Sequence, residues 1–132
     1  MSKNQKIILP TKNTPEVILD PKGIIKMTGR LIPENAIEFF NPIDEWINEY
    51  FCNASDITYF EICFEYINSE GIKHLLDFFH KIIHIHLKNN KKKLKIDWYY
   101  KNDDKLIEII SHVCGNRELK LSDYLNKVKR YI

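Results

Sequence analysis

The chain has 132 residues, is 44% hydrophobic and 29% charged, and carries a formal net charge of +2. One domain over residues 1–132 is expected, large enough to bury its own core, and the near-neutral charge gives no argument for nucleic acid. No apolar run approaches the ~18 residues of a membrane helix, and Ser2-Lys3-Asn4-Gln5-Lys6 is too polar for a signal peptide, so a cytoplasmic location is expected. Cys52, Cys63 and Cys114 form no CxxC pair and read as reduced thiols.

Residues 1–15 are polar, contain Pro10 and Pro15, and read as a loosely ordered tail in which Ile7-Ile8-Leu9 docks locally. Two β-type runs follow, at 16–19 and 24–28. Asp20-Pro21-Lys22-Gly23 between them has turn chemistry, which makes the pair a hairpin. A first helix opens at Asn35, where Asn35 and Glu38 have capping-box spacing behind Pro33. Pro42 predicts a kink or split near Asn41, with a restart that runs through Trp46, Ile47 and Tyr50.

The run 58–66 alternates strictly. Phe60, Ile62, Phe64 and Tyr66 fall on one face, and Tyr59, Glu61, Cys63 and Glu65 on the other. Residues 94–100 repeat the pattern, with Leu94, Ile96, Trp98 and Tyr100 on the core face. Between these strands the spacing predicts a long helix over 69–88, with Ile72, Leu75, Leu76, Phe79, Ile82, Ile83 and Leu87 as its core stripe. Strand, helix and strand make a parallel crossover. Phe78 and Ile85 fall outside the stripe, one heptad apart, and are the candidate exposed patch for binding a partner. Further helices are expected from 102 to about 113 and over 122–132, with a short strand at 118–121. The fold class is therefore α/β: a small mixed β-sheet with helices packed mainly on one face.

No nucleophile–base pair, carboxylate dyad or glycine-rich phosphate loop stands out, so an enzyme is not expected and no cofactor is implied. His74, His80, His84 and His86 raise a metal reading, but no acidic or thiol residue at suitable spacing completes a site, and they read as surface residues of a helix flank. Lys88, Lys91, Lys92, Lys93 and Lys95 suit a helix C-terminus and polar turn better than a nucleic-acid contact. Ser69 stands at a strand-to-helix junction, where backbone N–H groups and the helix dipole favour an anion. Read locally, a serine there is usually just an N-cap.

The order of elements is similar to the small sheet of STAS-type anti-sigma-factor antagonists. The ordered pieces Thr11-Lys12-Asn13-Thr14-Pro15-Glu16-Val17, Ile25-Lys26-Met27-Thr28-Gly29 and Pro33-Glu34-Asn35-Ala36 begin a closer match. Glu38-Phe39-Phe40 with Pro42, Phe64-Glu65-Tyr66-Ile67-Asn68-Ser69 with Lys73, and Asp97-Trp98-Tyr99-Tyr100 complete it. Together they resemble the SiaC-like family of bacterial regulatory phosphoproteins.

The resemblance implies a switch protein of cyclic-di-GMP signalling. A Ser/Thr kinase would phosphorylate Ser69, a PP2C-type phosphatase would remove the phosphate, and the state of Ser69 would decide binding to a partner such as a diguanylate cyclase. Asn68, Glu70, Gly71 and Lys73 form the surroundings of that phosphosite. The chain departs from the family pattern at Glu70 and Gly71, where small hydroxyl residues are common. The competing readings are a phosphorylation-independent adaptor and a basic module that contacts nucleic acid through the lysine run.

Overall fold

The computed structural model describes residues 4–88, 92–100 and 125–130. The expected helix from 102 and the short strand at 118–121 lie outside them. The hairpin forms as expected from β2 (Glu16–Asp20) and β3 (Ile24–Leu31). Asp20 builds the turn: its Oδ1 accepts the Lys22 N–H at 2.9 Å, and its carbonyl accepts the Gly23 N–H at 2.9 Å. Gly23 closes the loop with a φ of 98°, a left-handed position that other residues reach only with strain.

The local docking expected within the tail takes the form of a strand at Ile7-Ile8, while Leu9 stays exposed. Residues Lys6–Ile8 form an edge strand, β1, antiparallel to β2, and Ile8 packs against the core. The Trp46 indole N–H donates to the Asn4 carbonyl at 3.3 Å. Backbone pairing and one aromatic anchor supply what the polar composition of 1–15 conceals.

The helix α1 (Ala36–Tyr50) starts as expected, with Asn35 Oδ1 accepting the Glu38 N–H at 3.1 Å. It does not split: Pro42 lies inside one continuous helix. A mid-helix proline costs about 3 kcal/mol. Phe40, Ile43, Trp46, Ile47 and Tyr50 are all buried along one side of α1. At about 1.5–3 kcal/mol per large apolar side chain, that burial outweighs the proline.

A central strand, β4 (Ile57–Ile67), runs parallel to β3, and β5 (Lys93–Tyr100) runs parallel to β4. Helix α2 (Ser69–His86) joins β4 to β5, as expected. A last strand, β6 (Leu125–Arg130), adds parallel to β5, so the six strands lie in sequence order. This corrects the expectation of a C-terminal helix over 122–132. Leu125 and Val128 are spaced for a helix turn, but so short a segment takes its conformation from the ladder groups that β5 offers.

Both described helices pack on one face of the mixed sheet. Val17, Leu19, Ile25, Met27, Leu31, Phe60, Ile62, Phe64, Ile96 and Trp98 meet them in a single core. Phe79 is its hub, with ring centroids 5.6 Å from Phe60, 5.7 Å from Phe78 and 6.0 Å from Trp98. The other face is mixed, with Ile24 and Ile57 exposed beside polar pairs. There the Tyr59 hydroxyl donates to Asp97 Oδ2 at 2.6 Å, and Lys26 Nζ lies 3.5 Å from Glu61 Oε2. Burial, then the Asp97 carboxylate that accepts its hydrogen bond, pushes the Tyr59 phenol well above its ordinary range.

At the end of α2 the assignments of two neighbouring residues change. Leu87 lies beyond the end of α2 and is exposed. His86, expected on the surface, is 8% exposed, and burial lowers its pKa from the ordinary 6.5. The unfolded chain therefore takes up a proton at His86 at a higher pH than the folded one does. Stability from this group is intact above pH 6.5 and falls as pH drops through 6.5 toward the depressed value. Urea midpoints measured at about pH 7.5 and about pH 5.5 should therefore differ less in His86→Gln than in the wild type. Equal differences would show that His86 does not carry the acid sensitivity.

Candidate functional site at the start of helix α2

The site forms where β4 hands the chain to α2. Asn68, in extended conformation, is the N-cap, and its Oδ1 accepts the Gly71 N–H at 2.8 Å. Its backbone carbonyl accepts the Ile72 N–H at 2.9 Å, and its own N–H donates to the Leu31 carbonyl at 3.2 Å. The capping role that a serine could have filled thus belongs to Asn68. Ser69 is the first helical residue and is exposed. Its hydroxyl stands at the positive end of an 18-residue helix, where a dianion is tolerated.

The expected surroundings fall into place unevenly. Glu70 is turned along the helix toward His74, with Oε2 and Nε2 3.6 Å apart. Lys73 is exposed one turn from Ser69. Gly71 is buried against the end of β3: a Cβ there would stand 2.6 Å from the Leu31 carbonyl oxygen and 3.0 Å from Ile67 Cγ1. Its identity is fixed by this close approach of helix to strand. A larger residue at 71 would have to push α2 off the sheet.

The expected partner patch does not form as such. Phe78 is buried, with its ring 5.4 Å from Phe40 on α1 and 6.3 Å from Phe60. Helix α1 covers it, which heptad counting on α2 alone cannot foresee. Ile85 is half-buried and lines a groove of ≈ 820 Å³ between α1 and α2. The Lys81–Asp44 ion pair, at 3.7 Å, bridges the two helices along this groove, and the exposed Ile37 stands at its rim. Burial raises the Asp44 pKa, and Lys81 opposes the shift.

Two residues beside the site escaped the sequence reading. Tyr66 was expected in the core but is 50% exposed, and the Arg30 guanidinium lies over its ring at 5.8 Å from the centroid. The cause is an irregularity in the β3–β4 ladder. Gly29 pairs with Phe64 but Arg30 pairs with Tyr66, which leaves Glu65 as an extra residue. The slip turns Tyr66 outward and sends Ile67 into the core. Nothing in the alternating pattern of 58–66 marks where such a bulge falls.

Among the described residues, no group of three or more His, Cys, Asp or Glu side chains is placed to hold a metal ion, and no helix is long and apolar enough to cross a membrane. Of the lysine run, Lys92 pairs with Asp56 at 3.0 Å. Burial, then the Glu61 charge, raises the pKa of the half-buried Cys63 thiol and disfavours its reactive thiolate.

Residues 8–117 match the model of the SiaC family of regulatory phosphoproteins. No curated protein matches the chain. Among solved structures, apo-SiaC from Pseudomonas aeruginosa superposes with a TM-score of 0.74 at 18% identity, covering 98% of this chain and 100% of the other. The crystal structure of the diguanylate cyclase SiaD in complex with its activator SiaC, from the same organism, contains a chain that superposes with a TM-score of 0.75 at 18% identity. That match covers 96% of this chain and 99% of the other. At these identities the likeness shows a shared fold.

Proposed function

The chain belongs to the SiaC family of regulatory phosphoproteins, and on that premise we propose that it is a phosphorylation-dependent partner switch that operates through Ser69. A Ser/Thr kinase adds the phosphate, a PP2C-type phosphatase removes it, and the modification state selects the partner bound. In this reading the output partner is a diguanylate cyclase, by analogy with the complex of SiaD and its activator SiaC, and the switch acts in cyclic-di-GMP signalling in the cytoplasm.

One observation carries the reading. Ser69 is exposed at the start of α2 while Asn68 supplies the cap, so a phosphate there leaves the helix start intact. The added charge of about −1.5 to −2 then alters the surface rather than the fold. In an apolar or acidic interface that charge loses hydration and meets repulsion, and the complex with the unmodified form is released.

The test is site-resolved mass spectrometry after incubation with ATP and the cognate kinase. Wild type should gain one phosphate on Ser69, Ser69→Ala should gain none, and Ser69→Ala should hold the unmodified-state partner permanently. Ser69→Asp should mimic the phosphate only in part, because a carboxylate has less charge and a different shape. Unchanged incorporation in Ser69→Ala would move the site, with Thr14 and Thr28 next in line. No incorporation in wild type would favour a phosphorylation-independent adaptor.

A further inference from the structure

We propose that Arg30 is the intramolecular receptor for a phosphate on Ser69, and that modification draws its guanidinium off the Tyr66 ring. This rests on the reading of Ser69 as the phosphoacceptor. The basis is the β3–β4 bulge. By making Arg30 pair with Tyr66, it sets an exposed guanidinium over an exposed aromatic ring at the end of the sheet where the chain turns into α2. One residue further along, the Leu31 carbonyl accepts the Asn68 N–H, and Ser69 follows directly. Arg30 and Ser69 are thus each one residue away from the hydrogen-bonded Leu31–Asn68 pair, at the same end of the sheet.

None of the ion pairs formed among the described residues uses Arg30. Its contact there is the Tyr66 ring. An exposed cation–π contact is weak, whereas guanidinium and phosphate make two parallel, charge-assisted hydrogen bonds. The phosphate wins that competition. Lys73, one turn along α2, adds only a point charge without the planar fork.

The movement has a consequence for any partner protein. In the unmodified chain Arg30 covers Tyr66 and presents a positive charge. In the modified chain the charge is neutralised and the tyrosine face is bare. A partner that packs against this corner meets a different aromatic surface as well as a different charge. Tyrosine and arginine are among the residue types that most often dominate such contacts.

The test uses the full chain with phosphoserine incorporated at position 69 during translation, so no kinase is needed. The phosphate is titrated by phosphorus NMR in the folded and the urea-unfolded protein. The second phosphate pKa, ordinarily about 6, should fall in the folded chain by on the order of half a unit. Arg30→Gln should abolish most of that shift, Arg30→Lys should restore part of it, and Lys73→Gln should have the smaller effect. A wild-type phosphate that titrates alike folded and unfolded, or Arg30→Gln that titrates as wild type, overturns the proposal.

A second measurement needs no change at Arg30. The Arg30 guanidinium proton resonance should move between the unmodified and phosphoserine chains, and a resonance that stays put also overturns it. Failure of a kinase to label Ser69 would count against the switch itself and leave these results readable.

Discussion

Phe79→Ala is expected to destabilise the protein by about 3–5 kcal/mol, the range for deleting a buried aromatic ring. Phe79 is fully buried and is held by Phe60 on β4, Trp98 on β5 and Phe78 on its own helix. Its ring thus ties α2 to two neighbouring strands. The void opens among large, rigid groups with little freedom to collapse into it, which places the cost toward the upper end of the range. Domains of this size are stable by about 5–15 kcal/mol, so much of the total is removed. Urea denaturation followed by tryptophan fluorescence would measure it. A loss below about 1.5 kcal/mol would mean that the α2–sheet interface repacks freely rather than being close-packed.

Gly71→Ala should destabilise the protein by about 1–3 kcal/mol, and the sign is the informative part. By helix propensity alone the change would help, since glycine inside a helix costs about 1 kcal/mol relative to alanine. The close approach reverses this. The new methyl would meet the Leu31 carbonyl oxygen at 2.6 Å and Asn68 Oδ1 at 3.1 Å. The first is backbone in a paired strand and cannot swing aside; the second is the cap of α2 itself. Relief comes only from lifting the start of α2, which also shifts Ser69.

Denaturation should therefore show lower stability, and under the proposed role of Ser69 its labelling by a kinase should slow in the same variant. A neutral or stabilising outcome would show that α2 can move away from β3 at no cost. Gly71→Ser meets the same carbonyl and should fare no better.

The sequence by itself determined those elements whose signals are local. The Asp20-to-Gly23 turn, the Asn35 cap, the alternation of 58–64 and the helical stripe from Ile72 to Ile83 each depend on chemistry within a few residues. The same holds for Ser69 at the first position of α2. The ordered set of short motifs pointed to the family that the chain belongs to.

Tertiary structure decided what depends on partners distant in the chain. Helix α1 survives Pro42 because five side chains bury against a sheet that the helix sequence does not contain. Phe78 is covered because Phe40 comes to lie over it. The segment 125–130 is a strand because β5 leaves an edge for it to pair with. The corner beside Ser69 exists because β3 and β4 slip by one residue at Arg30, which turns Tyr66 out and Ile67 in. Caps, turns and periodicity follow from interactions that a short segment makes with itself, whereas register, coverage and close approach are set by which surfaces meet.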